Sequence, residues 1–91
     1  MRVAWTIRAR DDLRRVHDFL APRNPRAAAA ALEALSQAPL HLLLQPHIGQ
    51  AVETIPSREV RRVLIGQYEV RYALVGEEIR IVRIFHTRED R

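Results

Sequence analysis

Apolar and polar residues follow two different periods along this chain, and the change comes near its middle. Val3–Ile7 (VAWTI) is a short run rich in β-branched and aromatic residues, which predicts a strand. Thr6 is placed to cap a helix from about Arg8 to Ala21, whose Leu13, Val16 and Leu20 recur at helical spacing as a buried stripe. Asp11 and Asp12 fall in its first turns, where negative charge suits the helix dipole. The words Ala21-Pro22-Arg23-Asn24-Pro25 stop this helix and start another, with Asn24 as N-cap and Pro25 as first helical residue. RAAAAALEALSQA is alanine-dense and strongly helical, and so short a link makes the two helices antiparallel neighbours. Pro39 kinks or ends the second helix, and LHLLLQPHIG leads to a turn at Pro46–Gly49.

From there the period is that of strands. Ala51–Ile55 is expected as a short edge strand, followed by Glu59–Ile65, Tyr68–Val75 and Glu78–Phe85. The links Gly66-Gln67 and Gly76-Glu77 are short enough to require antiparallel pairing. The expected class is α+β: an N-terminal strand, an antiparallel helical hairpin, then a three- to four-stranded antiparallel meander.

Parity assigns strand faces. Tyr68, Val70, Tyr72 and Leu74 share one apolar face, expected to cover the helices, and Glu69, Arg71, Ala73 and Val75 share the other. In the last strand Ile79, Ile81, Arg83 and Phe85 oppose Arg80, Val82, Ile84 and His86, and neither set is clean. Mixed faces point to a sheet packed on one side and partly covered or concave on the other.

Size and charge narrow the partners. With 91 residues there is room for a single domain, 1–91, and one core. The net charge is +4, and every one of the 15 Lys-plus-Arg residues is arginine. Such a balance favours an acidic partner: nucleic acid, an acidic protein segment or a polyanionic complex. Arginine stays protonated at any working pH, so these groups bind anions but cannot act as bases. The absence of cysteine excludes disulfides, thiolate metal sites and Cys nucleophiles. No apolar run approaches membrane-spanning length and the N-terminus is charged, so a cytoplasmic protein without membrane contact is expected.

Arg61, Arg62, Arg71, Arg80, Arg83 and Arg88 lie on neighbouring strands or just past their ends, as a solvated face or as an anion-binding surface. His86 and Arg88 stand where the last strand runs out, and histidine is suited to proton transfer near neutrality. A strand-end histidine bound to backbone is the plain alternative. His17, His41 and His47 have no metal-ligand spacing, and no phosphate loop, nucleophile elbow or paired-carboxylate motif is present. Trp5, Tyr68 and Tyr72 read as core residues.

Taken in order, several pieces resemble the RelE/ParE superfamily of bacterial type II toxins, and the ParE branch most. They are Trp5-Thr6-x-x-Ala9-x-x-Asp12-Leu13, Asn24-Pro25 with the following alanines, Leu43 to Pro46-x-x-Gly49, Arg61 ahead of Gly66-x-Tyr68-x-Val70-x-Tyr72, and Ile79-x-Ile81-x-Arg83-Ile84-x-His86-x-Arg88. The resemblance implies a cognate, ParD-like antitoxin whose C-terminal segment wraps the toxin, and no cofactor. It implies one of two targets. ParE-like members poison DNA gyrase without catalysis of their own; RelE-like members cut mRNA on the ribosome.

The ribonucleases resemble one another in a basic constellation that this chain matches poorly. Their two basic positions on the first meander strand fall on Val60 and Arg62, and their arginine after the strand-opening tyrosine falls on Glu69. Arg88 matches, and their C-terminal tyrosine has no counterpart. Cleavage through a ribose 2′-hydroxyl needs a base, an acid and a cation, and His86 is the one residue here suited to be the base. The expectation is therefore a gyrase poison with Arg61, Arg62, Arg71, Arg83, His86 and Arg88 as its interaction surface. The competitors are a ribosome-dependent endonuclease using His86 and Arg88, and a relic that only binds antitoxin.

Overall fold

The computed structural model describes residues 1–55 and 58–88. Strand β1 (Arg2–Trp5) leads into helix α1 (Ile7–Leu20), then α2 (Pro25–Ser36) and a short α3 (Ala38–Leu44). Strands β2 (Gln50–Ile55), β3 (Arg58–Ile65), β4 (Tyr68–Val75) and β5 (Glu78–His86) follow as an antiparallel meander. β1 joins β5 in parallel, giving a five-stranded sheet of order β1-β5-β4-β3-β2. The expected α+β plan is observed, with the first strand placed at the edge beside the last.

Local chemistry sets the boundaries. Thr6 ends β1 two residues earlier than the apolar run implied, because its hydroxyl accepts the N–H of Ala9 (3.1 Å) and caps α1. The same hydroxyl donates to the carbonyls of Ile81 (3.1 Å) and Val82 (3.2 Å), tying the cap to β5. Ile7 accordingly begins the helix and is exposed. Asn24 caps α2 through the N–H of Ala27 (3.1 Å), with Pro25 in the first turn. Pro39 does more than end α2. Gln37 closes α2 and opens α3, and Pro39 sits in the first turn of α3, where it has no N–H to waste. Taken together Pro25–Leu44 spans 20 residues with a mean hydropathy of 1.3, long and apolar enough to cross a membrane, which reading the sequence in short runs missed. Ala28, Leu35, Ala38 and Leu42 along it are buried against the rest of the chain.

The core lies between the helices and one sheet face: Ala9, Leu35, Leu42, Val70, Tyr72, Ile79, Ile81 and Ile84, with Val3, Trp5, Leu13 and Tyr68 packed around it. Tyr72 reaches across it. Its hydroxyl accepts the N–H of Gly49 (2.9 Å) and donates to the carbonyl of Pro46 (2.8 Å), which fixes the turn before β2. Burial pushes this phenol above its ordinary pKa, keeping it a donor.

The unclean parity of β5 has a single cause. Arg71 pairs with Arg83 and Tyr72 with Ile81, so Val82 is an extra residue, a β-bulge. Before the bulge Ile79 and Ile81 face the helices; after it Ile84 does, and Arg83 and Phe85 turn to the far face. Counting the insertion explains the mixed parity of β5, while Val60, Ala73 and Phe85 are buried on the far face, which is thus partly covered.

Candidate functional site

The expected surface residues occupy three places rather than one. Register sets Arg62, Arg71 and Arg83 side by side on β3, β4 and β5, on the far face. Arg61 pairs with the core residue Tyr72 and so lies on the helix-side face. There it binds Glu59 and donates to the carbonyl of His47 (3.2 Å) and to that of Gly49, which makes it a brace for the turn. His86 and Arg88 lie at the end of β5, beyond both groups.

On the far face the arginines are held by two carboxylates. Glu69, 1% exposed, accepts Arg62 Nη1 at 3.2 Å and Arg71 Nε at 2.7 Å. Gln50 holds Arg62 from its other side (3.0 Å to Nη2). Phe85 lies under the row, its ring centroid 5.5 Å from the Arg71 guanidinium and 4.6 Å from that of Arg83.

Arg83 ends the row on Asp12, which comes from α1 and is 5% exposed. Asp12 accepts Arg83 Nε (2.9 Å), the Ile84 N–H (2.7 Å) and Arg15 Nη2 (3.3 Å), while Arg15 also donates to the Ile84 carbonyl (3.0 Å). β1 stops at Trp5, so it cannot pair with β5 here; two helix side chains take the place of a strand and satisfy both backbone groups of Ile84. Burial acts to raise the Asp12 pKa, but the hydrogen bonds from Arg83 and Ile84, with the charge of Arg83, outweigh it and hold the carboxyl below its ordinary value. From sequence Asp12 reads as a dipole residue of the first turns, but α1 begins at Ile7 and its first turn holds no acidic residue. Its role as an anchor depends on a contact 72 residues away, and no local signal carries that.

His86 stands edge-on to Tyr68, ring centroids 5.3 Å apart. Its Nδ1 accepts the N–H of Arg88 (3.0 Å), so the ring proton is on Nε2, which donates to Oε1 of Gln67 (3.2 Å). Both ring nitrogens are therefore engaged within the chain. With Arg15, Val16, Phe19, Leu20 and Arg88, the two rings line a largely apolar cleft of about 570 Å³ between the end of α1 and the end of the sheet. Phe19, 52% exposed, forms its outer wall. Sequence reading missed this cleft because its walls come from α1, β4 and the end of β5. Among the described residues no cluster of His, Asp or Glu side chains could hold a metal ion.

Comparison with known proteins gives one consistent picture. Residues 3–91 match the family described as the ParE toxin of the type II toxin–antitoxin system parDE. "Toxin RelE1" of Caulobacter vibrioides is 34% identical, over 98% of this chain and 96% of its own. In the chromosomal ParDE toxin–antitoxin system of P. aeruginosa, a chain superimposes with a TM-score of 0.76 at 23% identity, covering 94% of this chain and 95% of that one. A chain of the RelBE2 toxin–antitoxin complex of Mycobacterium tuberculosis does so with a TM-score of 0.60 at 23% identity, covering 93% and 95%.

Proposed function

Because this chain belongs to the ParE toxin family, a type II toxin of the RelE/ParE superfamily, we propose that it poisons DNA gyrase and blocks replication until a cognate antitoxin neutralises it. The observation that carries this choice of target is the state of His86. A general base needs a free lone pair within reach of the proton it removes. Nδ1 spends its lone pair on the Arg88 amide and Nε2 carries the proton. The far-face arginines are likewise paired with Glu69 and Asp12, so a scissile phosphate would compete with those carboxylates for them. A stoichiometric grip on a protein fits these groups better than phosphodiester cleavage. The relative called RelE1 keeps the second reading in play, a ribosome-dependent mRNA endonuclease using His86 and Arg88.

The cleft between α1 and the sheet end is the antitoxin contact in this account. Its apolar floor and its rim cations, Arg15 and Arg88, suit an amphipathic acidic segment. The toxin works in the cytoplasm on this reading, where both targets are found.

Induction of the toxin without antitoxin separates the targets. Gyrase poisoning predicts filamentous cells and DNA-damage signalling while protein synthesis continues, and His86→Ala stays toxic. Early arrest of protein synthesis, abolished by His86→Ala, would transfer the assignment to the ribosome.

A further inference from the structure

Arg62, Arg71 and Arg83 stand abreast on adjacent strands, with Gln50 extending the row onto β2. Adjacent strands are about 4.8 Å apart, so three like charges in one row repel unless anions intervene. Asp12 serves one end of the row and Glu69 the rest. The two guanidiniums on Glu69 keep 41% and 38% of their side chains in solvent, so the row is still open to a ligand approaching from outside.

An exposed row of arginines on a protein of net charge +4 is the usual footprint of a phosphate-backbone contact. Here a phosphate arriving at Arg62 or Arg71 meets a carboxylate behind each of them. Drawing either guanidinium outward would take from Glu69, 1% exposed, one of the two guanidiniums that hold it, and lost charge compensation at a buried carboxylate is strongly unfavourable. We propose that Glu69 is a specificity-determining residue: it withholds Arg62 and Arg71 from nucleic-acid phosphates and so leaves this face to protein contacts. The second half of that statement rests on the gyrase reading; the first half does not. A structural role for Glu69 alone would predict effects on stability but none on the ionic strength dependence of RNA binding.

The test uses the full-length chain, freed of antitoxin, and a short fluorescent oligouridylate whose binding is followed by anisotropy across salt concentrations. Glu69→Gln keeps the side-chain shape and removes the charge. The slope of log affinity against log salt should steepen by about 1.4, roughly 0.7 for each of two phosphate contacts released, with affinity at low salt rising about tenfold. Glu33→Gln, on the exposed face of α2, adds the same charge elsewhere and should leave the slope unaltered. A folded Glu69→Gln protein that behaves like Glu33→Gln overturns the proposal. If Glu69→Gln does not fold, Arg62→Gln decides instead. An unaltered slope supports the proposal, and a loss of about 0.7 means that Arg62 already holds phosphate and contradicts it. None of these outcomes bears on gyrase, which is assayed separately.

Discussion

The Asp12 carboxylate accepts hydrogen bonds from the Ile84 N–H, Arg83 and Arg15 while almost wholly out of water, and so joins the first helix to the last strand. Removing it by Asp12→Ala strands the Ile84 N–H and unpairs Arg83; a loss of about 3–5 kcal/mol is expected in urea unfolding. The pH dependence follows from the direction of its shift. Its pKa is lowered from 3.8 by folding, so its stabilisation is complete above that value and lost as pH falls below it through the folded pKa. Asp12→Asn should flatten the acid limb of the stability profile below about pH 4 and leave its shape near neutrality unchanged. An acid limb identical to that of the unaltered chain would show that other carboxylates set it. Gly49 poses the opposite problem, too little space. A Cβ there would meet the Arg62 carbonyl oxygen at 2.6 Å and the Tyr72 hydroxyl at 2.8 Å, so Gly49→Ala should cost about 1–3 kcal/mol by calorimetry.

Strand β5 works as two half-strands joined at Val82. The first half, Ile79 and Ile81, is flanked by β1; the second, Arg83 to His86, is flanked by the side chains of α1. Deleting Val82 would close the bulge and keep every face, with Arg83 still opposite Arg71 and Ile84 still opposite Val70. Such a chain should keep a cooperative thermal transition; its loss would mean that the bulge itself is needed to seat Asp12 and Arg15 on Ile84. This element also marks the limit of what the sequence discloses. Gly66-Gln67 and Gly76-Glu77 announce their hairpins, and both glycines indeed take positive φ, 60° and 59°, at the first loop position. Thr6 and Asn24 announce their helix starts in the same way, by local chemistry. A one-residue bulge has no such marker. It appears in the sequence only as broken parity, and its meaning depends on what packs against each side. The candidate residues divide along the same line. His86 and Arg88 were legible as a strand-end pair, whereas the separation of Arg61 from Arg62 and the burial of Glu69 depend on the neighbouring strands and on Phe85.

As a whole the protein presents two distinct surfaces: an apolar cleft at the end of α1, and an arginine face whose charge is largely balanced from within. Assigning antitoxin to the first and target to the second makes them separable by mutation. Phe19→Asp alters an exposed wall of the cleft, so it should leave folding intact and weaken antitoxin binding by at least about tenfold in titration calorimetry, through lost apolar burial and repulsion of an acidic segment. Unchanged affinity would move the antitoxin elsewhere. The target assignment is tested most directly by supplying purified toxin to gyrase from the same organism with supercoiled plasmid and ATP. Linear DNA that appears on denaturing the gyrase is the predicted result, since a poison traps the cleaved state. Plasmid that stays uncut and is supercoiled normally, in the presence of folded toxin, would contradict the account and direct the search to the ribosome.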